Sequence, residues 1–288
     1  MAKFIYSGFA DEISDNIHKQ VECLKKLGIE YLEFRSINGK NTQNLSDEEI
    51  MGVMDILDKN NIKVSSIGSP VGKYSLNESL DEQILKLKRN IKIAKMMKTR
   101  YIIIFSFYLN DCKLDTPQYE VIRRLKEFVK IAEKEDVILL HENEKGIFGE
   151  SDVNCKVLFD EIKSEHFKGV FDPANFVQAN VDTIKALELL KDNIVYLHIK
   201  DCNKDGNIVP SGDGIGNIKE ILGKLYETGY EGFVSLEPHL GYFVGFDELE
   251  QGEEKLNGGV YGGEKAFSLA YNKLAEIIDE ITKQKGIF

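Results

Sequence analysis

The strongest constraint on the fold is a regular alternation of short apolar runs with segments of helical periodicity, repeated eight times. The apolar runs are rich in β-branched and aromatic side chains, which is typical of buried strands. They are residues 4–9, 31–35, 62–67, 101–105, 137–144, 169–172, 194–198 and 233–237. Such alternation predicts parallel strands joined by right-handed crossovers. Eight units favour an α/β single-domain (β/α)8 TIM barrel over the alternative, a doubly wound open sheet.

Four consecutive runs end in residue types that bind metal ions. The fifth run passes from three apolar residues, 138–140, into Glu142, and the next three runs end in Asp172, His198 and Glu237. A single strand could end this way simply because it reaches the surface. In a barrel, however, the carboxyl ends of all strands meet at one mouth, where active sites are built. Four such endings therefore predict a shared site.

The residue types at these four ends also predict the chemistry of that site. Three carboxylates brought together repel one another unless a cation compensates. One imidazole with three carboxylates suits a single divalent ion, with Mn²⁺ as the first choice and Mg²⁺, Co²⁺ or Zn²⁺ as alternatives. Such an ion can stabilise the enediolate that forms when a sugar loses a proton beside its carbonyl group. The glutamates among the four could then act as the base and the acid.

The bulk composition limits the classes of partner. The formal charge is −11, from 37 basic and 48 acidic residues, which argues against a nucleic-acid ligand because such binding depends on basic contacts to phosphate. No apolar stretch approaches the roughly 20 residues of a membrane span, and the N-terminal segment lacks a signal-peptide pattern. The four cysteines are scattered without a CxxC pair. We therefore expect a cytoplasmic protein with reduced thiols and a small-molecule substrate, and a homo-oligomer is compatible with these features.

One segment departs from the alternation. Residues 240–263 contain seven glycines and no clear periodicity. A loop of this length in a compact domain is usually a functional lid or disordered. We expect it to belong to the single domain, residues 1–288, as a lid after the last strand.

The sequence resembles the sugar phosphate isomerase/epimerase superfamily, the xylose-isomerase-like barrels that include ketose 3-epimerases, hydroxypyruvate isomerase and inosose dehydratase. The matching segments are LHENE (140–144), FDPAN (171–175), LHIKD (197–201) and SLEPH (235–239), and the resemblance extends over essentially the whole chain. It implies that Glu142, Asp172, His198 and Glu237 are single-metal ligands. It further implies that Glu142 and Glu237 transfer protons. The ketose 3-epimerases carry a histidine three residues beyond the aspartate, where this chain has Asn175, so a 3-epimerase is not the favoured member.

Five further residues are expected near the substrate. Asn175 is one. Lys200 lies two residues beyond His198 and so faces the same way in a strand, where it would offset the carboxylates or bind an anionic substrate, unless it is merely a solvated lysine. Arg35 shares a strand face with Glu33, and is either paired with it or available for a substrate carboxylate or phosphate.

The last two of the five flank predicted ligands. Glu144 returns to the face of Glu142 and is a candidate substrate contact, as is His239 beyond Glu237, with a surface histidine as the alternative for the latter. By the same alternation His141 points towards the helices and is structural. The loop SGDGIG (211–216) could cradle a phosphate before a helix, or it could be tightly packed.

These residues predict a divalent-metal-dependent isomerase or epimerase of a small sugar, sugar acid or sugar phosphate. A dehydratase of a cyclic polyol such as an inosose could use the same site and is the main alternative. An endonuclease-IV-like phosphodiesterase is disfavoured, because it needs a histidine-rich multi-metal cluster and the chain has only 5 histidines in all. A non-catalytic sugar-binding protein is a minor alternative, because it would have no need of the catalytic ion that the four candidate ligands indicate.

Overall fold

The structure is a computed structural model that describes residues 2–109, 112, 114, 116–241 and 262–285. Eight strands were expected in this chain, and eight parallel strands form its main sheet. They are β1 (Lys3–Gly8), β2 (Tyr31–Phe34), β3 (Lys63–Ile67), β4 (Tyr101–Ile104), β5 (Ile138–Glu142), β6 (Phe167–Phe171), β7 (Ile194–Ile199) and β8 (Glu231–Leu236).

The strands form a nearly closed barrel. Their hydrogen-bonded order is β1-β8-β7-β6-β5-β4-β3-β2, so each strand lies beside its sequence neighbour and the last pairs with the first. A single parallel bridge between Phe9 and Glu33 links β1 to β2. The TIM-barrel prediction is confirmed, and the open doubly wound sheet is wrong.

Helices surround the barrel, and residues with known capping preferences mark the ends of several of them. They are α1 (Ile17–Leu27), α2 (Asp47–Lys59), α3 (Leu80–Met96), α4 (Pro117–Glu135), α5 (Asp152–Glu161), α6 (Pro173–Gln178), α7 (Thr183–Leu190), α8 (Ile218–Glu227) and α9 (Glu264–Lys285). Ser46 and Glu49 form a capping box that opens α2. Gly28 closes α1 in the left-handed conformation, at φ 72°.

Some short elements were not anticipated. Two-residue strands form small hairpins beyond β2 and β7, pairing Ser36–Ile37 with Lys40–Asn41 and Asp201–Cys202 with Ile208–Val209. The helix α6 follows β6 without a loop, because Asp172 both ends the strand and caps the helix. Most of the predicted lid, residues 242–261, lies outside the described residues. No helix in the described part of the chain is long and apolar enough to cross a membrane.

Candidate active site

The four residues predicted as metal ligands meet at the barrel mouth. Glu142 is the last residue of β5, Asp172 directly follows β6, His198 lies near the end of β7, and Glu237 directly follows β8. These four strands are consecutive neighbours in the sheet. One ligand atom from each residue lies within 4.8 Å of the others, and all four side chains are buried. Strand register and barrel closure therefore produce the predicted cluster.

The side chains of the cluster lie close together, but several of their buried polar atoms lack a hydrogen-bond partner among the described residues. His198 Nδ1 lies 3.1 Å from Glu142 Oε1 and 3.3 Å from Glu237 Oε2. Yet Asp172 Oδ2, His198 Nδ1 and Glu237 Oε2 are buried and make no well-aligned hydrogen bond within the described part of the chain. Buried polar atoms are normally paired. Three such atoms converging from an imidazole and two carboxylates fit a divalent cation with oxygen and nitrogen ligands.

The backbone at Asp172 is held rigidly. Asn143 accepts a hydrogen bond from the Asp172 backbone N–H and donates one to its carbonyl, both at 2.9 Å. Asp172 Oδ1 accepts the backbone N–H of Asn175 at 2.9 Å and so caps α6. One carboxylate oxygen is thus fixed by the helix while Oδ2 faces the cluster. The sequence analysis gave Asn143 no role, although it stands between two residues that were singled out.

Burial and charge pull the pKa values of the acids apart. Burial raises the pKa of Glu142, and raises that of Asp172 to about 7. Burial acts in the same sense on Glu237, but the positive charges of Lys200 and His198 hold its pKa well below the ordinary value. Without a metal ion, burial disfavours the ionised forms of Glu142 and Asp172. A bound divalent ion would favour their ionised forms.

Lys200 is a buried member of the site. It is 1% exposed, and its Nζ lies 3.3 Å from Asp172 Oδ2 and 3.4 Å from Glu237 Oε2. It is therefore not the solvated lysine of the alternative interpretation. Its contacts match the reading in which it offsets the carboxylates. A role in substrate binding stays a prediction.

Arg35 pairs with an acid that the sequence analysis did not single out, as well as with Glu237. Its guanidinium makes a bidentate pair with Asp11, at 2.8 and 3.1 Å, and lies over the Phe9 ring at 4.1 Å. Arg35 Nη1 also contacts Glu237 Oε1 at 3.2 Å. Asp11 lies in the 3-10 turn Ala10–Glu12 directly after β1. The strand-end rule that identified Glu142 would have placed this turn at the barrel mouth, but it would not have paired Asp11 with Arg35.

His239 and Glu12 complete this side of the site. His239 has φ 45°, a left-handed conformation that is uncommon for residues other than glycine. Its backbone N–H donates to Glu12 Oε2 at 2.8 Å, and its Nε2 lies 3.4 Å from Glu237 Oε1. His239 is therefore a buried site residue and not a surface histidine. Ligand atoms of Glu12, Glu237 and His239 also lie within 4.8 Å of one another, but the Arg35 cation already contacts both glutamates.

The remaining predicted contacts lie beside Glu142. Asn175 Nδ2 donates to Glu142 Oε1 at 3.2 Å, so the residue that replaces the epimerase histidine orients a predicted ligand. Glu144 pairs with Lys73 at 2.8 Å. His141 faces away from the site and packs against Phe159 and Phe167, with ring centroids 6.3 and 6.2 Å away. Burial lowers its pKa to about 3, consistent with a neutral packing role.

The glycine loop 211–216 is closed by a carboxylate of the chain itself. Asp201 accepts the backbone N–H groups of Gly212, Gly214 and Gly216 at 2.9, 3.2 and 2.9 Å. These are the donors that a bound phosphate would require. The packing interpretation of the loop is therefore favoured over the phosphate cradle.

Comparison with known proteins agrees with the geometry. Residues 21–256 match the model of the xylose isomerase-like TIM barrel family. The chain belongs to this family. The resemblance inferred from the sequence is thereby confirmed. A curated relative, the uncharacterized protein MJ1311 of Methanocaldococcus jannaschii, is 24% identical over 209 residues, which cover 68% of this chain and 71% of that protein.

Several solved structures superimpose on nearly the full length of the chain. A D-tagatose 3-epimerase-like protein gives a TM-score of 0.76 at 17% identity, covering 98% of this chain and 99% of its own. The probable 3-DHS dehydratase AsbF of Bacillus anthracis gives 0.71 at 18% identity, covering 96% and 99%. The 3-keto-D-glucoside 4-epimerase YcjR of E. coli gives 0.67 at 16%, covering 96% and 100%. At such identities these likenesses establish the barrel fold.

Proposed function

We propose that this protein is a divalent-metal-dependent isomerase or epimerase of a small sugar, sugar acid or sugar phosphate. The observation that carries the proposal is the convergence of two buried glutamates, Glu142 and Glu237, on the same nitrogen of His198, at 3.1 and 3.3 Å. Similar folds occur in proteins named as sugar epimerases, which supports the same class of chemistry.

Glu142, Asp172, His198 and Glu237 would hold the ion, with Mn²⁺ as the first choice. The ion would supply positive charge beside the oxygens of the substrate and so lower the cost of removing a neighbouring C–H proton. One of the two glutamates removes that proton and the other returns it. Arg35 and Lys200 keep Glu237 ionised and in place, while the carboxamide of Asn175 orients Glu142.

The proposal is tested by solvent exchange. Ketoses, sugar acids and sugar phosphates are incubated with the protein in D₂O with Mn²⁺, and NMR detects deuterium at carbon. Glu237→Gln should keep the fold and reduce that exchange by at least about 100-fold, the usual contribution of a positioned acid or base. Glu231→Gln, at the exposed start of the same strand, is the matched control and should exchange at the wild-type rate. Exchange at the wild-type rate in Glu237→Gln would contradict the assignment.

A dehydratase of a cyclic polyol is the second candidate. Two observations favour it: the similarity of the fold to a probable dehydratase, and Asn175 in place of the epimerase histidine. Proton removal by Glu142 or Glu237 would then be followed by departure of a hydroxyl group as water, with the other glutamate donating the proton. NMR of the products separates the two reactions, because elimination creates a C=C or keto group and releases water, whereas isomerisation conserves the formula.

A further inference from the structure

Besides the two glutamates that face Nδ1 of His198, another buried carboxylate lies on the opposite side of the ring, beside Nε2. Glu33, in β2, has a fully buried side chain, and its Oε1 lies 3.3 Å from His198 Nε2. The same carboxylate accepts hydrogen bonds from Ser66 at 2.6 Å, from Tyr196 at 2.9 Å and from Ser235. These three hydroxyls come from β3, β7 and β8. Glu33 is thus fixed from three strands with one oxygen against the imidazole.

The contact determines which ring nitrogen of His198 carries the proton. A carboxylate supplied with three hydroxyl donors is satisfied as an anion, and an anion can only accept hydrogen bonds. His198 Nε2 must then be the donor towards Glu33. In the neutral ring that binding of a cation requires, the lone pair is consequently on Nδ1, the nitrogen that faces Glu142 and Glu237 at 3.1 and 3.3 Å. Nδ1 is also the atom that lacks a well-aligned partner among the described residues.

We propose that Glu33 is a positioning residue of the ion site, which holds His198 with Nε2 protonated and Nδ1 free to bind the cation. The inference rests on the proposed function only in taking His198 as an ion ligand. Hydrogen bonding alone does not explain a glutamate here, because the three hydroxyls could equally well satisfy the neutral amide of a glutamine. The negative charge of Glu33 has a further effect: it raises the basicity of the His198 nitrogen that faces the ion.

The test measures Mn²⁺ binding to the purified full-length chain by electron paramagnetic resonance of the free ion. Glu33→Gln conserves volume and can still accept from Nε2, but it removes the charge. We expect affinity to fall about 10-fold, and to fall further, towards about 100-fold, in Glu33→Leu, which removes the acceptor as well. Glu30→Gln is the matched control, since Glu30 is exposed three residues earlier. It should bind Mn²⁺ like the wild type.

A purely structural role for Glu33 gives a different result. Glu33→Gln would then change the unfolding midpoint while the folded protein bound Mn²⁺ with wild-type affinity, and that outcome overturns the proposal. If neither variant folds, ¹⁵N NMR of the wild-type protein loaded with Zn²⁺ decides. An Nε2 proton on His198 that is shifted downfield by a hydrogen bond to a carboxylate, identified by its loss in His198→Asn, supports the proposal, and an Nε2 that is unprotonated or lacks that shift overturns it. Wild-type protein that binds no Mn²⁺ overturns this inference together with the ion site of the proposed function, whereas unchanged affinity in Glu33→Gln overturns this inference alone.

Discussion

Asp201 offers the sharpest test of how the loop beside the site is held. Its Oδ2 accepts the backbone N–H groups of Gly212 and Gly214, and its Oδ1 accepts those of Gly216 and Cys202. Asp201→Asn keeps the shape of the side chain but replaces one oxygen by an NH₂ group. That group then faces two backbone donors and can accept from neither.

The expected cost follows from the bonds that are lost. Hydrogen bonds to a charged partner contribute about 1.5 to 3 kcal/mol each, so the loss of two gives about 3 to 6 kcal/mol. Burial raises the pKa of Asp201, with the amide hydrogen bonds opposing the rise, so desolvation already offsets part of that contribution. We therefore expect a loss of about 3 kcal/mol, which lowers the melting temperature by roughly 5 °C in a domain of this size.

Asp213→Asn is the control, because the same substitution in the same loop removes an exposed pair with Lys273 at 2.9 Å. Its cost should be below about 1 kcal/mol. Thermal unfolding of the two variants is compared, and hydrogen exchange is followed at Gly212, Gly214 and Gly216. These amides should exchange roughly 100-fold faster in Asp201→Asn. Equal melting temperatures for the two variants, with unchanged exchange at the three glycines, would refute the reasoning.

Two further predictions concern the scaffold. Gly72→Ala should lower the free energy of unfolding by more than about 3 kcal/mol, because φ is +89° and a Cβ would lie 2.1 Å from a backbone oxygen. Gly28→Ala is the control: φ is +72° but the surrounding space is open, so the loss should be about 1 kcal/mol. Similar melting temperatures for the two variants would contradict this. Hydrogen bonds from Arg123 and Arg124 lower the pKa of Glu120 from 4.5 to about 2, although partial burial acts in the opposite direction. Because the folded-state pKa is depressed, the ionised form stabilises the fold above pH 4.5 and this stabilisation is lost as pH falls towards 2. Glu120→Gln should be less stable than wild type at pH 7 by up to about 1 kcal/mol, and urea unfolding at pH 7, 4 and 3 should show the difference shrinking; a constant difference would contradict the assignment.

The barrel and the cluster of candidate metal ligands could be predicted from the sequence because both depend on short-range patterns. Apolar runs of β-branched residues identify strands wherever they occur. Parallel strands place their carboxyl ends at one edge, so residues such as Glu142 and Glu237 can be brought together without knowledge of the tertiary contacts. The same holds for Lys200, which stays on the face of His198 because β7 continues to Ile199.

The partners of Arg35 could not be predicted in the same way. Asp11 follows β1 in a 3-10 turn, and its distance from the end of β2 depends on how closely the barrel shuts between these two strands. No local pattern encodes that closure. The hydrogen bonds from the glycine loop to Asp201 could not be predicted for a related reason. Asp201 and Gly216 are 15 residues apart and meet only because the loop folds back.

Glu33 shows what strand alternation predicts and what it leaves open. Alternation placed Glu33 and Arg35 on one face of the strand and suggested that they pair. Both side chains do reach the barrel interior, but they have different partners. Glu33 contacts the imidazole of His198, whereas Arg35, just beyond the end of β2, pairs with Asp11. Both partners come from other parts of the barrel, so closure of the barrel decides which of them lies within reach. Alternation within one strand therefore predicts which side chains face the interior, and their pairing depends on what the other strands place there.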